Sequence, residues 1–141
     1  LHASPTRRSS DLITALEPEV DHPPSHAVAG VAADLAGTID AAAIFAYTAS
    51  GNTVARIARK RPDVPVLATT PHESVARRLA LVWGAHAIHS GDVGTYEEMV
   101  DRARALAVKE EFARPGERIV IVAGIPFGQS GSTNNLRIAK I

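Results

Sequence analysis

Short apolar runs alternate along this chain with longer stretches of helical spacing. Ala42-Ala43-Ile44-Phe45-Ala46-Tyr47, Val64 to Thr69, Ala85 to His89 and Ile119-Val120-Ile121-Val122-Ala123 are runs of strand length bounded by turn residues. The first two predict buried strands, Ala85 to His89 a third, short strand, and Ile119 to Ala123 the most apolar strand. Val28, Val31, Ala32 and Leu35 fall on one stripe and predict a helix over His26–Ala36, capped by Ser25 and stopped by Gly37. Val54 to Arg61 predicts a second helix, ended by Pro62. Thr70-Pro71-His72-Glu73 combines a cap, a first-turn proline and a capping box. It predicts a third helix to about Trp83, with Trp83 as a packing anchor at its end and Gly84 as its stop. Thr95-Tyr96-Glu97-Glu98 is another capping box, opening a helix to about Phe112. Pro115-Gly116 turns the chain, and a Gly/Ser-rich loop from Gly124 to Asn135 precedes a last strand, Leu136 to Ile141.

Strands alternating with helices predict an α/β fold, a three-layer α/β/α sandwich on a mostly parallel five-stranded sheet. No helix separates the last two strands, so the final strand is expected antiparallel, at an edge. Residues 13–25 hold Pro18, Pro23 and Pro24 and read as a linker or arm before a domain at 26–141. Residues 1–12 are set apart as a tail. Pro5-Thr6-Arg7-Arg8-Ser9-Ser10-Asp11-Leu12 looks like one reading frame of a common sequencing-adapter oligonucleotide, an artefact in place of the true upstream sequence; a polar arm is the alternative.

Composition narrows the function. Hydrophobic residues make up 45% and aromatics 4%, so the core must be built mainly of Ala, Val, Ile and Leu. Fifteen basic residues balance 15 acidic ones, which argues against a nucleic-acid or anionic-membrane partner. The absence of cysteine excludes disulfides and thiolate chemistry and fits a reducing compartment such as the cytoplasm. No apolar run reaches the roughly 18–20 residues of a membrane span.

Two loops carry candidate chemistry. Thr48 to Thr53 joins a strand end to a helix start, where free amides and the helix dipole favour an anion. Thr48, Ser50 and Thr53 add hydroxyls, and Gly51 permits close backbone approach. A plain turn with a hydroxyl cap accounts for the same residues. The loop is neither a Walker A loop nor a dinucleotide fingerprint. The second loop, Gly128-Gln129-Ser130-Gly131-Ser132-Thr133-Asn134-Asn135, begins on the same rim and suits a flexible cover or a long exposed return. Its Gly-x-Ser lacks the second glycine of a nucleophile elbow.

These motifs together resemble the C-terminal domain of the pyruvate kinases. The resemblance is carried by Ala43 to Arg56, Arg61-Pro62 with Val64 to Pro71, and Ala76 to Gly84. It continues through Pro115-Gly116-Glu117, Ile119 to Gly128 and Gly131 to Ile138, and spans roughly residues 26–141. It implies a glycolytic enzyme moving a phosphoryl group between phosphoenolpyruvate and ADP with Mg²⁺ and K⁺. Its reactive groups lie on a barrel that this sequence does not contain, so no catalytic or metal-binding residue carries over and no cofactor belongs to this part. The resemblance implies instead an allosteric effector site and a share of a homotetramer interface. Thr48, Ser50, Gly51, Asn52 and Thr53 would grip a phosphate, and Gly128, Ser130, Gly131 and Ser132 would close over the ligand. Animal-type members responsive to fructose bisphosphate carry a basic residue where Ala49 stands, and an Arg is often found at the place of Asn52. A sugar monophosphate or nucleotide monophosphate is therefore the expected effector. A free-standing sensor or oligomerisation module of the same fold is the alternative. An independent hydrolase or transferase is disfavoured, because no nucleophile–base–acid set can be assembled.

A metal site needs several converging ligands, but His22, four from His26, lies in the Pro-rich arm, and His86 and His89, three apart on a short strand, point to opposite faces. Arg56, Arg59, Lys60 and Arg61 read as a solvated helix end suited to the dipole.

Overall fold

A computed structural model describes residues 24–129 and 132–141. The proposed tail, most of the proposed linker, His22, Ser130 and Gly131 lie outside the described residues. The elements in order are α1 (Pro24–Thr38), β1 (Ala43–Tyr47), α2 (Asn52–Arg59), β2 (Val66–Thr70), α3 (Glu73–Leu79), β3 (Ala85–His89), α4 (Tyr96–Lys109), β4 (Arg118–Gly124) and β5 (Thr133–Lys140). The sheet order is β3-β2-β1-β4-β5. Four strands run parallel, and β5 pairs antiparallel with β4 at the edge, as the missing crossover helix predicts.

The alternation of side chains along each strand splits the core into two layers. Ile44, Ala46, Val66, Ala68, Val120 and Val122 face Ala29, Ala32, Ala36, Val54, Ile57 and Leu79 of the first three helices. Phe45, Tyr47, Leu67, Ile119, Ile121 and Ala123 face Met99, Val100, Ala103 and Ala107 of α4. Both faces of β1, β2 and β4 are thus covered, which is why those strands are continuous apolar runs. Each buried Ile, Leu, Val or Phe contributes roughly 1.5–3 kcal/mol of transfer energy. The alanines of α1 let that helix lie close on the sheet.

Five boundaries differ from the sequence reading. α1 begins at Pro24, since a proline fits the first turn. Ser25 therefore lies inside the helix, buried with its hydroxyl unpaired, and does not cap it. α1 also runs through Gly37 to Thr38, whose hydroxyl bonds back to the Asp34 carbonyl at 2.9 Å. The Thr70 capping box does not form. The β2–β3 ladder continues to Thr70 opposite His89, and α3 starts only at Glu73. Thr70 Oγ1 instead accepts from the His72 amide at 3.3 Å. α3 ends at Leu79, so Trp83 anchors no helix; it is 57% exposed, with the Arg61 guanidinium 5.0 Å from its ring centre. Finally, β5 begins at Thr133 rather than Leu136, because its ladder with β4 extends to Gly124 opposite Thr133 past an irregularity at Ala123/Gly124.

The cap at Thr95 forms as read, while the returning bond of the box lands one residue earlier, on Gly94. Thr95 Oγ1 accepts from the Glu98 amide at 3.2 Å, and the Glu98 carboxylate takes the Gly94 amide at 3.0 Å. His86 and His89 point to different partners, Glu110 and the Pro71 carbonyl.

Candidate anion site at the strand switch point

The chain leaves β1 towards β2 on one side, while β4 lies on the other. Such a reversal of strand order opens a crevice at the carboxyl ends of the two strands. The loops after β1 and β4 meet there. They enclose a notch lined by Tyr47, Thr48, Ala49, Ser50, Thr53, Gly124, Gly128, Gln129, Ser132 and Thr133.

The first loop is shaped by two internal bonds. The Gly51 amide donates to Thr48 Oγ1 at 2.9 Å, and the Asn52 amide to Ser50 Oγ at 3.4 Å. Both hydroxyls are left with a hydrogen to donate. Gly51 sits at φ 87°, ψ −6°, the left-handed region, and serves as N-cap of α2 without a side chain to offer. Apart from the Asn52 amide held by Ser50, the first-turn amides of α2 carry no side-chain cap and keep the partial positive charge of a helix start. The Arg78 guanidinium of α3 donates to the Ser50 carbonyl, holding the loop from outside and setting a cation beside it.

The second side is pinned by Asn134. Its amide oxygen accepts from the Ile125 amide at 2.9 Å, and its nitrogen donates to the Ile125 carbonyl at 2.6 Å. Ser132 Oγ donates to the Gln129 carbonyl at 2.7 Å. Gly124 is packed so closely that an added Cβ would lie 2.5 Å from Ser132 Oγ and 2.9 Å from its carbonyl carbon. The two sides are joined by a buried bond of 2.5 Å between the hydroxyls of Thr53 and Thr133.

Of the residues expected from sequence, Thr48, Ser50, Thr53, Gly128 and Ser132 line this one notch. Gly51 is buried behind it, against Leu79 and Val75, and shapes the backbone. Asn52 is exposed and does not line it. Ala49, Gln129 and Thr133 also line the notch and stand within the two loops read from sequence, whereas Tyr47 and Gly124 line it from outside the candidate set. A tyrosine closing an apolar strand and a glycine closing the most apolar one were the available signals. The pairing of Thr53 with Thr133 had none.

Tyr47 also faces outward to a neighbouring loop. Its hydroxyl donates to Asp92 Oδ1, and its ring meets Phe127 edge-on with centres 5.4 Å apart. Burial, then the bond to Asp92 and its charge, push the phenol up to about 12. The same bond, with the Val93 amide, holds the Asp92 carboxyl below its ordinary value. The pair therefore exists as phenol and carboxylate at neutral pH. Among the described residues no group of three or more His, Asp or Glu is placed to hold a metal, and no helix is long and apolar enough to cross a membrane.

Residues 26–139 match the family described as "Pyruvate kinase, alpha/beta domain". A pyruvate kinase of Agrobacterium vitis is 48% identical over 129 residues, covering 92% of this chain and 27% of the relative. One of Methylorubrum extorquens is 42% identical over 130 residues, again 92% and 27%. One of Geobacillus stearothermophilus is 43% identical over 103 residues, 73% of this chain and 18% of that protein. The chain thus spans about a quarter or less of these relatives' length.

Proposed function

This chain belongs to the pyruvate kinase alpha/beta-domain family, and from that premise we propose that it acts as the C-terminal regulatory domain of a pyruvate kinase. In this reading it binds a phosphorylated effector in the notch and contributes to a homotetramer in the cytoplasm. The observation that carries the reading is the convergence of the Thr48, Ser50, Thr53 and Ser132 hydroxyls on the uncapped start of α2 at the strand switch point. Hydroxyl donors and free amides suit a phosphoryl group's acceptor oxygens. The space within the notch is about 20 Å³, room for about one water. A phosphoryl group would enter by displacing Ser132 from Gln129. The edge position of β5, with Ile138 46% exposed, supports a subunit contact on that side.

Phosphoryl transfer itself, with its Mg²⁺ and K⁺, falls in this reading to the remainder of such an enzyme. The described residues offer no cluster for either ion, and no catalytic step is assigned to them. An effector bound here alters catalysis only by binding one quaternary state more tightly than another.

The test is calorimetric titration of the full chain with inorganic phosphate, glucose 6-phosphate, ribose 5-phosphate and AMP, repeated on Ser50→Glu. Saturable binding that disappears in the variant is expected, because the new carboxylate occupies and repels the anion's place. Absence of binding, or binding indifferent to Ser50→Glu, refutes the effector role.

A further inference from the structure

A second, larger pocket lies beside the notch. It holds about 480 Å³, against about 20 Å³ for the notch, and is lined by Asp92, Val93, Gly94, Tyr96 and the Ile125–Gly128 segment. Gly128 lines both spaces. The wall between them is Tyr47, which lines the notch, packs edge-on against Phe127 and donates its hydroxyl to Asp92. The two spaces therefore adjoin at Gly128, the direction in which a ligand rooted in the notch and longer than phosphate would extend.

The chemistry of that space is one-sided. Its floor is apolar, from Val93, Ile125, Pro126 and Phe127. The Tyr96 hydroxyl is committed to Asn135 at 2.9 Å. Asp92 is its one charged lining side chain. One carboxylate oxygen takes the Tyr47 hydroxyl and the Val93 amide, at 2.9 Å for the latter, and the other accepts no hydrogen bond from the described residues. The nearby cation Arg102 is bound to the Gly91 carbonyl and to Glu98 at 2.9 Å, and it does not line the pocket. A hydroxyl-bearing chain or ring has an acceptor here and an apolar surface for its carbon face. A second phosphate meets a carboxylate with no lining cation to offset it.

Resting on the anion site proposed above, the geometry points to Asp92 as the residue that sets ligand class: it selects phosphate monoesters whose far end is a neutral polyol and rejects bisphosphates. The selection does not depend on the make-up of the Thr48–Thr53 loop. It arises at the other end of the ligand.

The experiment is a calorimetric comparison of inorganic phosphate, glucose 6-phosphate and fructose 1,6-bisphosphate on the full chain and on Asp92→Asn. Asparagine keeps an acceptor for Tyr47 and Val93 while removing the charge. The wild type is expected to bind glucose 6-phosphate more tightly than either of the others. Asp92→Asn is expected to strengthen the bisphosphate by about tenfold relative to the monophosphate, the order of effect for removing a unit charge beside a dianion in water. A wild type that prefers the bisphosphate overturns the proposal, with or without a folded variant. So does a preference unchanged in Asp92→Asn when Ser50→Glu still abolishes glucose 6-phosphate binding, an outcome that leaves the anion site standing. Indifference of all binding to Ser50→Glu removes the anion site and this selection together.

Discussion

Gly51→Ala tests the loop on which the functional reading depends. Two costs are readable from the geometry. At φ 87° a Cβ crowds its own backbone, worth about 1–2 kcal/mol for an L-residue. The new methyl would also lie 3.1 Å from Leu79 Cδ2 and 3.4 Å from Val75 Cγ1. Leu79 is 2% exposed and has little room to retreat. Partial overpacking adds on the order of 1 kcal/mol, for a total near 2–3 kcal/mol against a domain stability of about 5–15. Urea unfolding should show a lower midpoint at unchanged slope. Gly51→Asn separates the two causes. It has the same Cβ contact, but asparagine tolerates the left-handed region, so it should lose less than alanine. An alanine variant within about 0.5 kcal/mol of wild type, the range of an ordinary surface substitution, would refute the claim that this backbone conformation and the Leu79 contact hold the loop.

Thr53→Val leaves the Thr133 hydroxyl buried without its partner and should cost about 1–3 kcal/mol in denaturant unfolding. The double variant with Thr133→Val should recover part of that loss, and a loss that merely adds would count against the pairing. Of the two tyrosines, Tyr47 should ionise near pH 12, followed by phenolate absorbance against Tyr47→Phe. Its folded value lies above its unfolded one near 10, so the linked stability is complete below pH 10 and lost as pH rises towards 12. Asp92 runs the other way: its contribution is present above the ordinary carboxylate range and lost as pH falls through its lowered value. Asp92→Asn, which removes the partner's charge, should bring the Tyr47 midpoint down.

The strands were legible because burial on both faces leaves a plain signature: Ile119 to Ala123 can be apolar throughout only if both sides are covered. The cap at Thr95 was legible because its bonds close within three or four residues. The hydroxyl-rich loop after β1 was legible as a candidate because strand, small polar turn and helix are contiguous. Local signals misled where a distant ladder competed for the same residue. Thr70 has every mark of a cap, yet its pairing opposite His89 draws it into β2. Trp83 reads as an anchor, but α3 ends at Leu79 and the ring stays 57% exposed beside Arg61. What tertiary structure alone decided is the junction of the site. Thr53 meets Thr133 across 80 residues, Tyr47 meets Asp92 across 45, and Gly124 presses on Ser132. Those contacts depend on which strands are neighbours and in what register. A linear pattern of apolar and polar residues specifies which faces are buried, but leaves open which loops a five-stranded sheet brings to one rim.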